Sequence, residues 1–136
     1  MTAIDAPHVL DRDLKPHGLI NKKFCWDWFV RDLLERESAA IKFNLDAAGL
    51  APGQAPNPPD LVINHIPAQF LTFLWRNDCR DEAARFAADL WGLVRGQNRW
   101  PTQVWIDVLD YTIAPDHWSG EHRQDLFARV RKRAGR

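Results

Sequence analysis

Apolar residues recur along this chain at intervals of three and four, and the breaks between such stretches coincide with glycine and proline. That period is the mark of helices that each bury one face. The first and longest stretch starts at Asn21, a good helix cap, and meets no Gly or Pro until Gly49, the preferred residue just past a helix end. It predicts a helix over about 21–48. Trp26, Val30, Leu33, Leu34, Ile41 and Leu45 lie on its apolar stripe, whereas Phe24 and Trp28 lie off it. Near its start this helix is apolar on more than one side, so that end is either enclosed by other helices or part of an interface.

Residues 50–60 hold Pro52, Gly53, Pro56, Pro58 and Pro59, which predict a stiff surface connection because each proline removes a donor and clashes with the preceding turn. Residues 61–66 fit a helical turn or an extended piece equally well. Pro67 suits the first position of a short helix through Phe70, Leu74 and Trp75 to about Asn77, so apolar that it belongs at the centre. Asp78 is placed to cap a third helix, whose stripe is Ala83, Phe86, Ala87, Leu90, Trp91 and Val94 and whose end is Gly96. A fourth begins around Trp100 and Pro101, turns Trp105, Val108 and Leu109 inward, and stops before Pro115. Asp116 or Ser119 opens a fifth, carrying Trp118, Leu126, Phe127 and Val130.

The expectation is an all-α fold: a single compact bundle of about five helices, with one long N-terminal helix, the proline-rich connection and a basic C-terminal helix end. Residues 1–20, with Pro7, Pro16 and Gly18 and no sustained period, read as an N-terminal arm, 21–133 as the bundle and 134–136 as a tail.

Composition changes this picture only in its charge. The 136 residues are 46% hydrophobic and 26% charged, which is ordinary globular usage and large enough for a real core. Eighteen basic and eighteen acidic side chains cancel, which excludes a protein that coats nucleic acid or an anionic membrane with its whole surface. The cancellation is uneven. Five basic residues crowd the last eight positions without an acid, and the preceding 128 residues carry thirteen basic against eighteen acidic side chains. Cys25 and Cys79 stand far apart in apolar helical surroundings, outside any metal-ligand or redox spacing, and are expected to be buried thiols. With no signal-peptide core in Met1–Asp13 and no apolar run of about 20 residues, the expected location is the cytoplasm.

Seven tryptophans are the most distinctive feature of the composition. Trp26, Trp75, Trp91 and Trp105 fall on predicted inner faces. Phe24, Trp28, Trp100 and Trp118 do not, and as large apolar groups with no assigned place inside they are the candidate partner-binding residues. Lys22 and Lys23 sit at a helix start, where positive charge opposes the dipole, so local stability does not account for them. Together with Arg95 and Arg99 beside Trp100, and with Arg129, Arg131, Lys132 and Arg133, they form a second candidate set for contact with a nucleic-acid backbone. His117 and His122 are five apart, the wrong spacing for two ligands on one helix face, and no metal site is expected. No glycine-rich phosphate loop, nucleophile elbow or Cys/His arrangement is present, so no catalytic residue, cofactor or small-molecule substrate is expected. The sequence thus favours a non-enzymatic helical protein-interaction module, an accessory subunit, adaptor or inhibitor, whose partner is another protein or a second copy, with no membrane contact. The alternative is a small helical subunit of a nucleoprotein complex.

Overall fold

A computed structural model of the chain describes residues 28–61, 65–113 and 118–134. They form five α-helices and one 3₁₀ turn, with no strand among the described residues. Helix α1 spans Trp28–Ala48, and its buried residues Val30, Leu33, Leu34 and Ile41 keep the three-and-four spacing of the predicted stripe. Its predicted start at Asn21, together with Trp26 of the stripe, lies outside the described residues, as does the N-terminal arm. Gly49 ends it with a φ of +66°, a left-handed conformation that costs glycine nothing.

The proline-rich connection closes with a 3₁₀ turn, Pro58–Asp60, in which the Asn57 N–H donates to the Asp60 carboxylate at 2.8 Å. It is not wholly a surface feature: Pro56 and Leu61 are buried, and the turn packs against α1 and α4. Helix α2 spans His65–Arg76, so Pro67 is its third residue rather than its first, which its missing N–H still permits because the first turn has no acceptor for that donor. Phe70, Leu71, Phe73, Leu74 and Trp75 are all buried, which a helix manages only when covered on several sides. α2 is central, as its composition predicts.

Helix α3, Arg80–Arg95, is the hub, packed against α1, α2 and α5. Ala83, Ala84 and Ala87 are buried on it beside Phe86, Leu90 and Trp91, and their small side chains let neighbouring helices come close. Helix α4, Thr102–Thr112, lies on the 3₁₀ turn and on α5, Gly120–Arg133. Ser119 is the cap of α5, its hydroxyl accepting from the His122 N–H at 3.1 Å.

Asp78 plays a different part from the one predicted. It ends α2 instead of capping α3: its φ is +61°, the Cys79 N–H donates to the Leu74 carbonyl at 2.9 Å, and its own N–H donates to the Trp75 carbonyl at 3.3 Å. This pair of reversed bonds around a left-handed residue is a Schellman ending. Aspartate tolerates the position less well than glycine, so Asp78→Gly is expected to raise stability by about 0.5–1 kcal/mol and Asp78→Val to lower it by more than about 1 kcal/mol. Urea unfolding of the two variants checks the sign. A loss of stability in Asp78→Gly would contradict the left-handed ending.

Candidate interaction surfaces

The five tryptophans whose side chains are described form two groups inside the bundle. Trp91 stacks on Trp105, with ring centroids 5.3 Å apart and planes 14° apart, and on Trp100 at 6.3 Å and 27°. The Trp105 indole N–H donates to the Ala87 carbonyl at 2.9 Å, so the only polar atom of that ring is satisfied within the core. In the second group Trp75 meets Trp118 at 5.1 Å, and the Arg80 guanidinium lies 4.8 Å from the Trp75 ring. The Trp118 indole N–H donates to Thr72 Oγ1 at 2.9 Å, and that hydroxyl donates to the Ala68 carbonyl at 3.0 Å.

Trp100 and Trp118 therefore do have a place inside, being 9% and 4% exposed. The expectation that they lack one is corrected. Each precedes the N-cap of a helix, Pro101 for α4 and Ser119 for α5, so each lies outside the helical period that defines an inner face. The entering chain folds its ring back over the core, a placement periodicity does not register. Of the other two candidate partner-binding residues, Phe24 lies outside the described residues. Trp28 opens α1, but its side chain lies outside them.

The large apolar side chains that the described surface exposes are others: Phe43, Tyr111 and Leu93. Phe43 is 73% exposed on the side of α1 opposite its core stripe, with Ala39 and Ala47 exposed one turn before and after it. Asp32 and Arg36, further along the same side, neutralise each other at 3.1 Å. Phe43 is not among the candidates the sequence offers, although its place off the α1 stripe sets it apart.

The cations divide by partner. Arg129 donates through Nε to Asp125 at 2.8 Å and also pairs with Asp81, tying α5 to the start of α3, and Asp125 takes a second cation, Arg80, at 3.6 Å. The Asp125 hydrogen bond, aided by Asp81 and opposed by partial desolvation, holds the Arg129 guanidinium above its ordinary pKa. Arg129 is thus engaged internally. Arg131 donates to the neutral Gln103 amide oxygen at 3.2 Å, which places the last turn of α5 against the first turn of α4. Arg99, Lys132 and Arg133 are exposed and Arg95 is half-buried. Lys22 and Lys23 lie outside the described residues.

Among the described residues no three His, Cys, Asp or Glu side chains gather as a metal-binding group, and no helix is long and apolar enough to cross a membrane. His117 lies outside them. A crevice between α2, α3 and α4, lined by Pro67, Leu71, Phe86, Leu90, Trp105 and Ile113, is wholly apolar and has room for about one water molecule. It offers no group for acid–base or nucleophilic chemistry. No family model matches the chain, and no curated protein or solved structure is similar enough to it to count as a match.

Proposed function

We propose that this chain is a non-enzymatic helical protein-interaction module, an accessory subunit, adaptor or inhibitor of a larger complex, and that it engages its protein partner through the outer face of α1. The observation that carries the reading is Phe43, held 73% exposed in the C-terminal half of a 21-residue helix whose other side is anchored in the core. Covering a phenylalanine of this kind contributes about 1.5–3 kcal/mol, a large share of a hot spot. Small residues one turn away on either side let a partner's side chains close over the ring. From Asp32 to Ala47 the exposed face is roughly 22 Å long, the span of a helix laid along it. Cys79, a buried thiol, suits the reducing interior of the cytoplasm.

The test is affinity purification from the native host with nuclease treatment, comparing the natural chain with Phe43→Glu and with Tyr111→Glu as a control for a second exposed aromatic. A protein partner is expected to survive nuclease, to be reduced at least about tenfold by Phe43→Glu, a hot-spot effect, and to be unaffected by Tyr111→Glu. Both positions are exposed, so unfolding midpoints should stay within about 0.5 kcal/mol of the natural chain. Equal recovery with Phe43→Glu would rule out this face.

A further inference from the structure

We infer that the corner where α5 ends and α4 begins, with the connection leading into α4, is a contact surface for the phosphates of a nucleic-acid backbone. The inference is independent of the outer face of α1. It rests on how the cations are partnered. Arg36, Arg80, Arg85, Arg123 and Arg129 each pair with a carboxylate on the body of the bundle. Arg95, Arg99, Lys132 and Arg133 have none among the described residues, and Arg131 has only the neutral amide of Gln103. Lys42 and Arg76 also lack one among the described residues, but they lie on α1 and α2, in other stretches of the chain.

The Arg131–Gln103 hydrogen bond joins two of these segments, and the same Gln103 amide donates to the Asp107 carboxylate at 2.8 Å. The Arg131 bond fixes the last turn of α5, with Lys132 and Arg133, beside the first turn of α4, four residues on from Arg99. Three further polar atoms in the same stretch of chain are buried without a partner among the described residues: Nε of Arg95, Nε1 of Trp100 and Oγ1 of Thr102.

Nucleic acid suits the corner better than an acidic polypeptide does. The cations come from three segments of chain and most are arginine, whose planar fork matches phosphate oxygens two at a time. A spread of single charges answers a regular row of phosphates. Trp100, the nearest aromatic in sequence, is buried and stacked on Trp91, so its ring is not presented to a base. The contact is therefore to the backbone and indifferent to sequence.

The experiment uses the full chain and fluorescence anisotropy of two labelled DNA duplexes of unrelated sequence. Equal affinity for both is expected. With about four phosphates neutralised, by Arg99, Arg131, Lys132 and Arg133, affinity should fall on the order of a hundredfold between 50 and 200 mM salt. The double variant Arg99→Gln, Lys132→Gln should lower the log–log salt slope by about two, while its unfolding midpoint and the binding by Phe43→Glu stay unchanged. Failure to bind at 50 mM salt overturns the proposal. So does a salt slope that the double variant leaves unaltered, which would put the contact elsewhere on the chain. Displacement of the duplex by polyglutamate at a lower charge concentration than by unlabelled duplex would also overturn it, in favour of an acidic protein.

Discussion

Trp105→Ala is expected to lower stability by about 3–5 kcal/mol, toward the top of the range for removing a buried tryptophan. Its ring is fully buried, stacks on Trp91 and forms part of the wall of the crevice between α2, α3 and α4. Deleting it would join the new cavity to that crevice. The neighbouring walls are whole helices, so little collapse is available to relieve the loss. The Ala87 carbonyl would also be left with only its helical partner. Trp105→Phe separates the two causes: it keeps most of the packing but loses the N–H, and should cost about 1–2 kcal/mol. Urea unfolding, with an unchanged dependence on denaturant, measures both. Domains of this kind have about 5–15 kcal/mol in total, so the alanine variant should sit near the edge of folding at 25 °C. A cost below about 1 kcal/mol would mean that α3 and α4 do not pack through this ring.

What could be read from the sequence follows from what helical periodicity encodes. The α3 stripe, Ala83, Phe86, Ala87, Leu90, Trp91 and Val94, is buried throughout because every member lies inside one continuous helix. Gly49, Gly96 and Ser119 mark ends as expected, since a left-handed glycine and a hydroxyl cap act locally. Asp78 could not be assigned the same way. Aspartate favours both a helix cap and the left-handed region, and a short connection between two helices offers it both. The tryptophans flanking α4 and α5 fell outside the period altogether.

The surface was harder to read for a different reason. Phe43 is visibly off the α1 stripe, but whether another helix covers that side depends on the arrangement of the bundle, which one helix's pattern does not contain. The same holds for charge. Asp125 is four residues before Arg129 and legible as a helical pair, while Asp81, forty-eight residues away, becomes a partner only when α3 and α5 pack together. The basic C-terminal end was therefore legible as a group, but not the division between the arginine engaged internally and the cations left without a carboxylate.

Trp118 tests this account most directly, because its two readings predict opposite results. As a surface residue reserved for a partner it could be removed without loss of stability. As the 4%-exposed ring that packs on Trp75, its replacement by alanine should cost about 3–5 kcal/mol. Thr72 supplies the companion variant. Thr72→Val keeps the shape but leaves the Trp118 N–H buried without an acceptor, at a cost of about 1–3 kcal/mol. Trp118→Phe, which has no N–H, should remove most of the additional penalty of Thr72→Val, so the double-mutant cycle should return a coupling of about 0.5–2 kcal/mol. A Trp118→Ala variant as stable as the natural chain would return this tryptophan to the surface. Full additivity in the cycle would leave the ring inside and remove only the bond to Thr72, and with it the reason α5 enters the bundle directly over α2.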